Sequence, residues 1–112
     1  MTLTEREQDG IIILEPKGKI MGGPDATLLH ERLYECIQQG KSRVIIDLAG
    51  VEWMNSTGLG ILIQGYSTLK NGGGKLKLAR VTEKIRSLLT ITKLANVFEA
   101  HESVEDALAS FE

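Results

Sequence analysis

Two short runs constrain this chain more than anything else in it: Ile11-Ile12-Ile13-Leu14 and Val44-Ile45-Ile46-Asp47-Leu48. Both are rich in β-branched residues and too short for helices. The first is continuous rather than alternating, the pattern of a strand covered on both faces. The second reads as a buried strand that runs into a polar cluster, Trp53-Met54-Asn55-Ser56-Thr57-Gly58, and re-enters as an apolar helix over Leu59 to Leu69. A cluster so placed sits at a helix N-terminus, where backbone N–H groups are unpaired and the dipole favours negative charge.

The remaining segments fit around this frame. Residues 2 to 8 are polar with weak alternation and suit an edge strand, and Asp9-Gly10 is a hairpin signal. Pro16 and Gly18 end or distort the strand that follows. Gly22-Gly23-Pro24-Asp25 is a loop that starts a helix, with Pro24 near its first turn. From Ala26 to Gln39 the residues Leu29, Leu33 and Ile37 recur at helical spacing, with Ala26, Leu28 and Cys36 beside them, and Gly40 is a stop signal. In the second helix the stripe is Leu59, Leu62, Ile63, Tyr66 and Leu69. Gly60 and Gly65 each cost roughly 1 kcal/mol relative to alanine, which predicts close packing against the sheet or a partner.

Asn71-Gly72-Gly73-Gly74 turns the chain into an imperfectly alternating strand, Lys75 to Val81. Thr82 opens a third helix with Ile85, Leu88 and Leu89 inward, and Val97-Phe98-Glu99 reads as a short last strand. Ser103 with Asp106 forms a capping pattern ahead of a short helix carrying Val104, Ala107, Leu108 and Phe111. Beyond the first hairpin, strands and helices alternate, so crossovers are right-handed and the sheet mostly parallel.

Composition narrows the function. At 112 residues one domain with its own core is expected. A net charge of −2 with scattered basic residues argues against nucleic acid as a partner. No apolar run approaches the roughly 20 residues that span a bilayer, and Met1 to Gly10 lacks the apolar centre of a signal peptide, so no membrane insertion and a cytoplasmic location are expected. The single cysteine, Cys36, falls in an amphipathic helix and reads as a buried thiol.

Motifs for chemistry are sparse. The glycine run before Lys75 follows a helix and precedes a strand, the reverse of a phosphate loop. Gly58-Leu59-Gly60 lacks the third glycine of a dinucleotide fingerprint, with Ile63 in its place. Met54 stands where a G-x-S-x-G nucleophile motif around Ser56 needs glycine. His30 and His101 are the only histidines; nothing in the sequence puts either beside Ser56, and metal-ligand spacing is absent. What remains is a hydroxyl pair, Ser56 and Thr57, on a helix N-terminus. Capping by Asn55 or Ser56 accounts for part of it; a phosphate acceptor is the sharper reading, because phosphate is well accommodated there.

The run from Val44 through Asp47-Leu48 to Asn55-Ser56-Thr57-Gly58-Leu59-Gly60 resembles the signature of bacterial anti-sigma factor antagonists, the STAS domain. There an apolar strand, Asp-Leu and a short loop lead into Asp-Ser-Ser/Thr-Gly-Leu-Gly. The likeness takes in Gly18, Gly73-Gly74 and the closing segment Val104-Glu105-Asp106-Ala107-Leu108. It implies an α/β fold, a single STAS-like domain over residues 1–112, with a mixed four- or five-stranded sheet and about four helices.

The same resemblance implies a non-catalytic partner-switching regulator without a cofactor of its own. Unphosphorylated, such a protein binds an anti-sigma factor that is a serine kinase. The kinase, with its own ATP and magnesium, phosphorylates the hydroxyl after the acidic position, and a PP2C-type phosphatase reverses this. Carried over, the acceptor is Ser56, with Thr57 second, and the partner surface takes in Met21, Met54, Asn55, Ser56, Thr57, Gly58 and Ile61. Leu59 is a further candidate whose periodicity favours burial, whereas Ile61 lies off the Leu59-Leu62-Tyr66 stripe and is expected to be exposed.

Two departures from the family pattern stand out: Asn55 replaces the usual aspartate, and Met21 an acidic residue three positions after Gly18. Two other readings of the same fold are a phosphorylation-independent interaction subunit, as in a stress-signalling scaffold or a lipid-transport ATPase, and a small-molecule or nucleotide binder at this helix N-terminus.

Overall fold

Asp9 and Gly10, at φ +54° and +79°, fold strand β1 (Thr2–Gln8) back on β2 (Ile11–Ile20) in an antiparallel ladder from Thr2–Lys17 to Gln8–Ile11. Two successive residues with positive φ match the twist of a tight hairpin, as the Asp-Gly signal predicts. The computed structural model describes residues 1–111. Glu112, the last residue of the expected domain, and the Ala26 side chain, expected beside the first helical stripe, lie outside the described residues.

Pro16 and Gly18 distort β2 without ending it. Through Ile12–Leu14 it pairs in parallel with β3 (Arg43–Asp47); at Gly18/Lys19 the register shifts, and Gly18–Ile20 pair in parallel with β4 (Val51–Met54). The segment read as a polar turn thus contains a strand. With Val51 and Met54 buried and Glu52 and Trp53 exposed, β4 has no alternation, so pattern alone does not reveal it. β5 (Lys75–Ala79) pairs with β3, and β6 (Glu99–His101) with β5, both parallel. β6 begins two residues later than expected, because Phe98 turns into the core. The spatial order is β1-β2-β3-β5-β6, with β4 on β2. The mixed α/β class is as expected, and β4 brings the sheet to six strands.

Among the described residues four helices cover the sheet: α1 (Pro24–Gln38), α2 (Ser56–Asn71), α3 (Glu83–Ile91) and α4 (Val104–Ala109). Alternate residues of the strands divide between two clusters. Ile12, Leu14, Val44, Ile46, Leu76 and Leu78 meet Leu29, Leu33, Leu62, Leu69 and Ile85 from α1 to α3. Ile11, Ile13, Ile45 and Ala79 meet Val104 and Ala107 of α4. This two-sided covering is why the apolar runs are continuous. Cys36 is buried in the larger cluster, and its burial pushes the thiol pKa up. Among the described residues no helix is long and apolar enough to cross a membrane.

Helix α2 is the element that presents the hydroxyl pair. Its buried residues are Gly58, Leu59, Ile61, Leu62, Gly65 and Leu69, while Ile63 and Tyr66 are only partly buried. The inner face therefore runs 58-61-62-65-69, with two glycines on it. A Cβ on Gly65 would stand 2.5 Å from Leu33 Cδ1, so this glycine lets α1 and α2 approach. Gly60 has nothing within 4 Å of a built Cβ; the close packing expected at both glycines holds inside the domain only for Gly65.

Candidate functional site

The C-terminal ends of β2 and β4 deliver Ile20 and Met54 side by side, and the next residues of each make the site. Asn55 takes an extended conformation and caps α2: its side-chain oxygen accepts from the Gly58 N–H at 2.9 Å. Its Nδ2 donates to the Met21 carbonyl oxygen at 3.0 Å, and its backbone N–H donates to the Ile20 carbonyl at 3.3 Å. Two of these bonds tie the helix start to the end of β2 and the loop leaving it, and the third is the cap itself.

Packing reinforces them. A Cβ on Gly58 would fall on the Ile20 carbonyl oxygen, so only glycine lets α2 seat this closely on β2. Gly22 lies against the Thr57 side chain, where a Cβ would come within 2.7 Å of the Thr57 methyl. Since Asn55 does the capping, Ser56 is left exposed at the first helical position, with the free N–H groups of that turn beside it. The first turn carries no acidic residue.

Around this turn Met21 is 45% and Trp53 42% exposed, and Thr57 is exposed. Met54 and Ile61, expected on the partner surface, are core residues at 0% and 6% exposure. Gly58 is buried as well, and Leu59 is buried as its periodicity predicts. The reason for the Ile61 correction is the 58-61-62-65 face: glycine carries no hydrophobic signal, so the apparent stripe is rotated away from the true one. Trp53 is the surface residue that pattern reading misses. A lone tryptophan in a polar stretch, outside any apolar stripe, is its one signal.

An ion pair between a buried carboxylate and a half-exposed guanidinium braces the site from below. Asp47, 1% exposed at the end of β3, accepts from Arg80 Nε at 2.9 Å, from Arg80 Nη2, and from the Ala49 N–H at 3.2 Å. Arg80 reaches it from a left-handed backbone at φ +51°, and the carboxylate holds the guanidinium pKa up. Leu48 N–H donates to Ala79 O, Val51 N–H to Leu48 O and Gly18 N–H to Gly50 O, all within 3.0 Å. These bonds fix the β3–β4 connection, and with it the height at which Asn55 enters α2.

The histidines lie in other elements. His30 is on α1, and His101 on β6 pairs with Glu99 at 2.6 Å. Among the described residues no cluster of three or more His, Cys, Asp or Glu could hold a metal ion. What the arrangement can do is present a hydroxyl on a rigid, uncharged turn flanked by apolar side chains.

Comparison with known proteins places this geometry in context. The family model described as STAS domain matches residues 3–107. The anti-sigma-B factor antagonist of Bacillus subtilis is 35% identical over 74 residues, covering 66% of this chain and 67% of that protein. BtrV of Bordetella bronchiseptica is 27% identical over 111 residues, covering 99% of this chain and 95% of that one. The crystal structure of an anti-sigma factor antagonist from Mycobacterium paratuberculosis superposes with a TM-score of 0.83 at 24% identity, over 97% of this chain and 92% of that one, a likeness of fold.

Proposed function

The chain belongs to the STAS domain family, and on that premise we propose that it is an anti-sigma factor antagonist working by partner switching. In its unphosphorylated state it binds an anti-sigma factor that is a serine kinase. That kinase, using its own ATP and magnesium, phosphorylates Ser56 and loses its hold; a PP2C-type phosphatase resets the cycle in the cytoplasm. The observation that carries this reading is the division of labour at α2: Asn55 caps the helix, so the exposed Ser56 hydroxyl has no structural duty.

The physics favours a switch at this position. Phosphorylation adds about −1.5 to −2 charge, which the α2 N-terminus tolerates through its free N–H groups and dipole. The domain stays folded while a docked face acquires a charge that must be desolvated. Thr57 is the second acceptor, but its side chain packs on Gly22. Contact residues on this reading are Met21, Trp53, Asn55, Ser56 and Thr57.

The test is a pull-down with the cognate kinase alongside mass spectrometry after incubation with ATP. Modification at Ser56, with binding kept by Ser56→Ala and lost by Ser56→Asp, supports the cycle. Equal binding by both variants, or phosphate on another loop, overturns it in favour of a phosphorylation-independent interaction subunit.

A further inference from the structure

The far end of α2 holds a second feature, roughly 20 Å along the helix from Ser56 by its rise per residue. Strand β6 pairs only with Lys77–Ala79, so the first two residues of β5, Lys75 and Leu76, have β3 on one side and no strand on the other. The chain arriving at β6 lines the opposite wall, leaving a cleft of about 360 Å³. That volume is within the usual range for small-molecule pockets.

Its floor is apolar and rigid. Leu76 and Phe98 are buried, and the Tyr66 and Phe98 rings meet edge to face with centroids 5.5 Å apart at 70°. Its rim is cationic. Lys70 lies over the Tyr66 ring at 5.7 Å, and Lys75 is exposed at the head of β5. Among the described residues the lysines in ion pairs are Lys17, Lys41 and Lys77; Lys70 and Lys75 are in none. Among the described residues the one carboxylate on the lining, Glu99, is bonded to Lys77 at 2.9 Å and to His101 at 2.6 Å, so its charge is already answered. In a chain of net charge −2, this is a local reversal of sign over an aromatic floor.

We propose that this cleft binds a small amphiphilic anion, a flat apolar body carrying one sulfonate or carboxylate. The apolar body lies on Leu76, Phe98 and Tyr66, and the acid group faces Lys70 and Lys75. Desolvating a ring against Phe98 and Tyr66 supplies affinity, and the two unpaired ammonium groups select for negative charge.

The probe is 1-anilinonaphthalene-8-sulfonate, with binding read by dye fluorescence and by amide chemical shifts of the labelled protein. Saturable binding is expected, with shifts confined to residues 66–77 and 96–99. The Lys70→Glu/Lys75→Glu double variant, altered only at exposed positions, should bind on the order of tenfold more weakly, as should the neutral analogue N-phenyl-1-naphthylamine with the wild type. Ser56→Asp should bind as the wild type does. Absence of saturation, shifts centred on Trp53 and Ile91 instead, or equal affinity in the charge-reversed variant overturns the proposal.

Discussion

Asn55 Nδ2 donates to the Met21 carbonyl oxygen at 3.0 Å while Asn55 Oδ1 accepts from Gly58 N–H at 2.9 Å. One side chain thus uses both ends of its amide, and only one orientation satisfies both partners. Aspartate could do the capping but not the donation, and at neutral pH it would set a carboxylate oxygen against a carbonyl. The departure from the family pattern at Asn55 is therefore bound to the loop that carries the other departure, Met21.

Asn55→Asp should lower stability at pH 7 by about 1 kcal/mol, a net of one lost hydrogen bond against a small dipole gain. Asn55→Ala, which also removes the cap, should cost about 2 kcal/mol. Urea denaturation measures both; an aspartate variant as stable as the wild type would show that the Met21 tie contributes nothing.

The glycines of α2 should respond in opposite directions. Gly58→Ala places a methyl group on the Ile20 carbonyl and should destabilise by roughly 1–3 kcal/mol, as overpacked sites do. Gly60→Ala meets open space and should stabilise the helix by about 1 kcal/mol. If the partner approaches this face, Gly60→Ala should at the same time weaken the pull-down. Thermal melts of both variants, paired with binding, separate the fold from the interface.

Arg80 and Asp47 should behave as a coupled pair in which the carboxylate is buried and the guanidinium half exposed. Arg80→Met leaves the Asp47 carboxylate buried without its counter-charge and should cost about 2–3 kcal/mol. Adding Asp47→Leu should recover part of the loss, because an apolar pair avoids the desolvation penalty. A double-mutant cycle decides the matter: a double variant as unstable as the two single losses combined would remove the pairing argument.

The carboxyl of Glu99 is held down to about 2, first by the Lys77 hydrogen bond and then by that of His101. A pKa lower folded than unfolded gives stability that is complete above about 4.5, the ordinary value, and fades as pH falls through about 2. Lys77 itself is buried, with Nζ on Glu99 at 2.9 Å, Ser110 Oγ at 2.7 Å, Ser110 O at 3.1 Å and the Phe111 ring at 4.2 Å. Lys77→Met should cost roughly 1–2 kcal/mol at pH 7 and flatten the acid limb of the stability curve. Denaturation midpoints from pH 7 to 2 test this, and an unchanged acid limb would refute the pairing.

Elements with strong local signatures are legible in the sequence. The Asp9-Gly10 turn, the apolar runs of β2 and β3, the α1 stripe and the Thr82 and Ser103 caps each carry their information within a few residues. Strand β4 is not legible, because a four-residue strand beside a register shift has no period to detect. The same holds for the start of β6, where Phe98 belongs to the core and not to the ladder.

By itself the sequence determined the order of the elements other than β4, the hairpin, the continuous burial of the central strands and the position of a hydroxyl pair at the start of α2. Those depend on neighbours in the chain, through turn chemistry, capping and periodicity. Tertiary structure alone decided which way α2 and β4 face, hence that Ile61 and Met54 are core and Trp53 is surface. It also decided that Asn55, not Ser56, caps the helix, since that choice rests on docking against Ile20 and Met21, more than thirty residues away. The physical reason is that a helix reveals its apolar face through side chains. Two close approaches of α2, at Gly58 to Ile20 and at Gly65 to Leu33, are made by glycines, which have none.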